Sequence, residues 1–149
     1  MAHARGTVDL ADLHFKNGRA YSPWGAYGQS KSANILMIRE LADRLGANSN
    51  ITAFSVHPGV IKTNLTRNMN VPSVVLLLFG WAVFDKSVEQ GAATTLTACL
   101  DPDLLAHSGA YLSDCELLET NEHCKDASGE LRRGLWRATE ADIAAALSS

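Results

Sequence analysis

Apolar residues along this chain recur with two different periods, and the change of period divides it into elements. Residues 1–25 mix Gly6, Gly18, Pro23 and Gly25 with polar side chains and hold no sustained period, so they read as loop. From about Tyr27 to Leu45 the period becomes helical. Ile35, Ile38, Leu41, Ala42 and Leu45 fall at three- and four-residue steps and form one apolar stripe. Gly46 stands where a left-handed helix cap is expected. Residues 51–57, ITAFSVH, are short and rich in strand-favouring types, and Pro58-Gly59 ends them. A run this apolar predicts a strand buried in a parallel sheet. Residues 60–86 form a long connection. Ser87 then predicts an N-cap, because Gln90 follows at capping-box spacing, for a helix through Leu100 that Asp101-Pro102 ends. Residues 109–113, GAYLS, predict a last short strand, and Thr139 predicts the cap of a final helix, EADIAAALS. Helices alternating with buried strands predict an α/β layer protein.

Composition narrows the function classes. The chain has 149 residues, 46% hydrophobic and 19% charged, with a formal charge of −3. That is a globular balance of one-domain size with no basic stripe to neutralise phosphates, so no nucleic-acid partner is expected. Arg132, Arg133 and Arg137 read as a solvated face. Three cysteines, Cys99, Cys115 and Cys124, without a C-x-x-C pair argue against a disulfide framework and against zinc. His123 and Cys124 are adjacent and cannot alone build a tetrahedral site, so no metal is expected. The thiols fit a reducing, cytoplasmic setting. The start, MAHARGTVDLADLHF, carries no apolar signal core. The apolar run Val74 to Phe84 would rise only about 16 Å as a helix, roughly half a bilayer core. It can line a pocket or touch a membrane surface, but not span one.

The stretch Tyr21 to Asn34, YSPWGAYGQSKSAN, carries the chemistry. Tyr27 and Lys31 are four apart on a helix and share a face. A free phenol titrates at about 10, and to exchange protons near neutrality it needs roughly 4 kcal/mol of preferential stabilisation of its phenolate. An ammonium one turn away acts in that direction. Tyr27 could then give a proton to a carbonyl or take one from an alcohol. The rival hydrolase reading, Ser55 with His57, lacks a G-x-S-x-G elbow and places both residues on one strand. By spacing alone, Y-x-x-x-K recurs by chance on many helices, and Pro58-Gly59 alone is a plain turn.

The wording AHARGT, DLHF, YSPWGAYGQSK and SVHPGVIKTNL, in that order, resembles the short-chain dehydrogenase/reductase family. The similarity runs nearly end to end and is nearest to the branch that includes retinol dehydrogenase-like enzymes and the WW-domain-containing oxidoreductase. It implies the C-terminal part of a Rossmann-type, doubly wound parallel α/β sheet, keeping its last two strands. It also implies an NAD(P)-dependent oxidoreductase that interconverts a carbonyl and an alcohol on an apolar small molecule. In that reading Tyr27 is the general acid/base and Lys31 assists it and binds the nicotinamide ribose. Pro58, Gly59, Val60 and Thr63 meet the nicotinamide end of NAD or NADP. Val75, Leu76, Phe79 and Trp81, in a substrate loop at about 64–86, present an apolar surface to the substrate.

The family's T-G-x-x-x-G-x-G turn and N-N-A-G strand do not occur in residues 1–149, and the serine that precedes x-Ala-His would lie before Met1. The N-terminal dinucleotide-binding half is thus expected to be absent, and the chain alone is expected to be inactive. A strand 51–57 without its neighbour would also expose an edge. The alternative is a non-catalytic fragment that acts as a binding or dimerisation module, with a homodimer through helix 27–45.

Overall fold

The computed structural model describes residues 2–61 and 86–148, which fall into two units. The first comprises Met1–Ser55, Ala106–Tyr111 and Glu119–Ser149, and the second comprises Val56–Leu105 and Leu112–Leu118. Thr63, Val75, Leu76, Phe79 and Trp81 lie outside the described residues.

Helix α1, Pro23–Leu45, organises the first unit. It begins earlier than the apolar stripe, because Ser22 and Pro23 form a start of their own. The Ser22 hydroxyl accepts the Gly25 N–H at 3.0 Å, and proline at the first helical position surrenders no hydrogen bond. At the other end the Gly46 N–H donates to the Ala42 carbonyl; Gly46 has φ +73° as expected of a glycine stop, but ψ 168° takes it out of the left-handed helical cap conformation that was expected. The buried side of α1 is more polar than the predicted stripe: Gly28, Gln29, Ser32, Ile35, Leu36 and Glu40. A turn of 3-10 helix, Ala2–Arg5, and two later helices, α3 (Glu122–Lys125) and α4 (Glu130–Leu147), pack on it. One apolar cluster joins Val8, Leu36 and Leu135, and a second joins Ile35, Tyr111 and Cys124. Removal from water pushes the Cys124 thiol above its usual range.

Helix α4 corrects two expectations. Thr139 does not cap it. The helix starts at Glu130, where the Asp126 carboxylate accepts the N–H groups of Leu131 and Arg132, and Thr139 sits inside it with its hydroxyl donating to the Leu135 carbonyl. The three arginines do not form one solvated face either. Arg133 and Arg137 are exposed, but the Arg132 side chain is only 18% exposed. Its guanidinium bridges Asp43 on α1 at 2.6 and 2.9 Å and the Asp126 carbonyl at 2.9 Å.

Three strands form a sheet in the order β1 (Ser55–His57), β2 (Tyr111–Ser113), β3 (Glu116–Leu117). The strand predicted over 51–57 narrows to its last three residues. Before it, Ile51 is exposed, and Ala53 bonds through its carbonyl to the Gly109 N–H at 2.7 Å. Among the described residues the expected two strands become three, because the chain folds back after β2. Leu112 pairs with Leu117 and Ser113 with Glu116 in an antiparallel register, across a two-residue turn with Asp114 and Cys115 both at positive φ. The sheet is therefore mixed, and β1 is a free edge among the described residues.

In the second unit α2, Val88–Leu100, begins as predicted. The Ser87 hydroxyl accepts the Gln90 N–H, and the Gln90 side chain accepts the Ser87 N–H. Lys86 precedes the cap, bridges to Ile61 and pairs with Asp114.

Candidate active site

Tyr27 and Lys31 leave α1 on its exposed side, and the structure brings them together. The Lys31 ammonium lies 5.2 Å from the centre of the Tyr27 ring, which is 39% exposed. Trp24, one turn earlier, meets the same ring edge to face with centroids 6.3 Å apart. The hydroxyl of Ser30 donates to the Tyr27 carbonyl at 2.7 Å, within the helix. An exposed phenol beside an ammonium on a rigid helix can hand a proton to an oxygen that settles on it.

What holds this face in place lies behind it, on residues the sequence pattern did not single out. Gln29 is two residues from both Tyr27 and Lys31, a rotation of about 200° to the far side of the helix. It is buried, takes a hydrogen bond from Arg19 at 2.5 Å and gives one to the Leu13 carbonyl at 2.9 Å. Ser32, fully buried, shares its one hydroxyl proton between the carbonyls of Gly6 and His3, at 2.6 and 3.0 Å. At Gly6 the two backbones touch. A Cβ there would lie 2.3 Å from the Gln29 nitrogen and 2.5 Å from the Gly25 oxygen. The loop before α1 is tied by Asp12, whose carboxylate accepts the N–H groups of Lys16, Asn17 and Arg19 at 2.7, 3.0 and 3.1 Å. Removal from water pushes the Asp12 carboxyl up. Those three donors and the Arg19 charge outweigh that push and hold it below its ordinary value. The available signal was polar residues standing at buried helical positions.

Pro58, Gly59 and Val60 lie together in the second unit, at the C-terminal end of β1. Gly59 takes φ +88°, and the Lys86 side chain crosses it so closely that a Cβ would stand 2.5 Å from Lys86 Cδ. Pro58 and Val60 are exposed. The space that a Cβ would take at Gly59 is thus filled by the Lys86 stem. Burial above all holds the neighbouring His57 below the usual imidazole range, and the Lys86 charge adds to it as a smaller cause. Ser55 is buried, and its hydroxyl donates to the Ala110 carbonyl at 3.3 Å.

No protein-family model matches the chain. Curated relatives do. Mouse retinol dehydrogenase 12 is 37% identical over 139 residues, covering 93% of this chain and 42% of the relative. Human retinol dehydrogenase 14 is 37% identical, covering 91% and 39%. Mouse polyprenol dehydrogenase is 40% identical, covering 90% and 39%. The chain thus spans about two-fifths of the length of these relatives and matches their C-terminal part. Among solved structures, an uncharacterised protein from Mycobacterium Paratuberculosis superposes with a TM-score of 0.67 at 30% identity, covering 95% of this chain and 46% of that one. Among the described residues no helix is long and apolar enough to cross a membrane.

Proposed function

From a chain that belongs to the short-chain dehydrogenase/reductase family, we propose an NAD(P)-dependent oxidoreductase that interconverts a carbonyl and an alcohol on an apolar small molecule. The observation that carries the reading is the Tyr27 phenol with the Lys31 ammonium 5.2 Å from its ring, on the exposed face of a helix anchored from behind. The names of its relatives, retinol and polyprenol dehydrogenases, support an alcohol on an apolar body.

NAD(P), when bound, supplies or accepts the hydride. Tyr27 holds the substrate oxygen and moves its proton, giving it during reduction and taking it during oxidation. Lys31 places its ammonium beside the Tyr27 ring and offers N–H donors to the ribose. By the family resemblance, Pro58, Gly59 and the Val60 backbone would hold the nicotinamide end of the cofactor. By the same resemblance the proposal extends to Thr63 for the cofactor and to Val75, Leu76, Phe79 and Trp81 for the apolar body. Three free thiols support a reducing, cytoplasmic setting.

The test is NADH and NADPH oxidation with a panel of aldehydes and ketones, using protein expressed from its complete reading frame. Tyr27→Phe removes one hydroxyl from an exposed ring and should leave the circular dichroism spectrum intact. Turnover should drop by about 100-fold or more, the usual size of a general acid/base contribution. Near-normal turnover in that variant, or none in the parent with either nucleotide, refutes the assignment.

A further inference from the structure

The turn after β1, residues 58–61, depends on Gly59, which takes φ +88°. Glycine reaches that conformation freely, and for the same reason its own sterics do nothing to keep it there. The restraint comes from elsewhere in the second unit. The Lys86 stem lies across Gly59, with Cδ 2.5 Å and Cε 3.0 Å from the point where a Cβ would stand. The Lys86 backbone bridges to Ile61 in a parallel pairing. Ile61 in turn enters a notch on α2 at Gly91, where a Cβ would collide with its Cδ1. Lys86 is also fastened at its far end. Its ammonium pairs with Asp114, in the turn between β2 and β3, and its side chain is only 20% exposed. That hairpin turn is tied to α2, because the Cys115 N–H donates to the buried Thr94 hydroxyl at 3.3 Å. A surface lysine ordinarily carries a flexible stem and a hydrated head, and here both are held.

We infer that Lys86 is a positioning residue for the nicotinamide nucleotide, acting through Gly59 with Asp114 as its anchor. The inference rests on the oxidoreductase reading, in which residues 58–60 hold the nicotinamide end of the cofactor. Binding there needs the backbone of the turn in one conformation. A free glycine turn samples several, and a site that is competent a tenth of the time binds about tenfold more weakly. The Lys86 stem stands in for the missing Cβ. It narrows the turn without the strain that a side chain on residue 59 would carry at positive φ. The two parts of Lys86 have separable roles. The stem fills the space over Gly59, and the ammonium fastens the stem. Asp114 is 64% exposed, so the ion pair is the smaller contribution and the stem the larger.

The experiment is fluorescence titration with NADH and NADPH, with steady-state kinetics on the same samples, using protein expressed from its complete reading frame. Lys86→Ala removes stem and charge, Lys86→Met keeps the stem alone, Lys86→Arg keeps both, and Asp114→Asn removes the anchor. For the nucleotide that the parent binds, Lys86→Ala should raise Kd and KM by about tenfold, with kcat at saturating nucleotide within about twofold of the parent. Lys86→Met and Asp114→Asn should each raise Kd by about threefold, and Lys86→Arg should restore the parent value. If Lys86→Ala does not fold, Lys86→Met and Asp114→Asn decide the matter. Leu104→Ala opens the core of the same unit, so it should lower Tm and leave Kd in place. A parent-like Kd in the Lys86 and Asp114 variants, an equal rise in Leu104→Ala, or kcat lost with Kd kept overturns the inference. The two readings fail separately. A parent that binds and turns over, with Kd indifferent to Lys86, loses the positioning role and keeps the reaction. A parent that binds neither nucleotide loses the oxidoreductase reading and this inference with it.

Discussion

Replacing Arg132 with methionine keeps the aliphatic stem and deletes the charge that joins α4 to α1. Three losses add. The two bonds to Asp43 are short, at 2.6 and 2.9 Å, but Asp43 is 56% exposed and returns to water, so they are worth about 1 kcal/mol. The Asp126 carbonyl loses a charged donor at 2.9 Å, costing about 1 kcal/mol. Glu40 is buried, with Arg44 at 2.8 Å and Arg132 at 3.8 Å, and losing one of two cations around a buried carboxylate costs roughly another 1 kcal/mol. The expected total is about 3 kcal/mol. Arg133→Met and Arg137→Met serve as controls and should each stay within about 0.5 kcal/mol of the parent, as exposed positions do. Urea unfolding followed by far-ultraviolet circular dichroism, with the slope checked for constancy, measures all three. A double-mutant cycle with Glu40→Gln should return a coupling of about 1 kcal/mol. If Arg132→Met matches the Arg133 control, the bridge contributes nothing and the solvated-face reading of these arginines is restored.

Asp12→Asn should destabilise the protein at neutral pH, and the gap should close in acid. The folded carboxyl lies below its ordinary value of 3.8, so its contribution is complete above about that pH and is lost as pH falls through the lower folded value. A gap between parent and variant that stays constant from pH 7 to pH 2.5 would contradict this. Gly6→Ala places a methyl against backbone on two sides, so amide exchange over the first turns of α1 should accelerate at least tenfold. Parent-like protection there would show that the contact yields without consequence.

Signals that are local in the chain were legible. The capping box at Ser87 and Gln90, the stop at Gly46 and the pairing of Tyr27 with Lys31 each depend on residues within one helical turn. Features closed by distant partners were not. Thr139 carries a capping side chain, yet the Asp126 carboxylate starts the helix nine residues earlier, at Glu130, and good helix formers then carry it past. The hairpin after β2 turns on Asp114-Cys115, a pair without the glycine that advertises such a turn. Glu40 and Arg132 look like surface residues in one dimension, and only the approach of α4 to α1 buries them.

The polar lining on the buried side of α1 has a directional consequence. A helix seated by leucines alone can roll or slide by a residue at modest cost, because one methyl group is a fair substitute for another. Gln29, Ser32 and Glu40 forbid that motion, since each has partners in one orientation only, and a roll of one residue, about 100°, would strand an amide, a hydroxyl and a carboxylate without them. The bearing of the Tyr27 hydroxyl is therefore set by hydrogen bonds on the opposite side of the rod. Tolerance to mutation should follow this compass: the lining behind the tyrosine is restricted to side chains that keep its angle, while exposed positions such as Ser30 and Asn34 are free to drift.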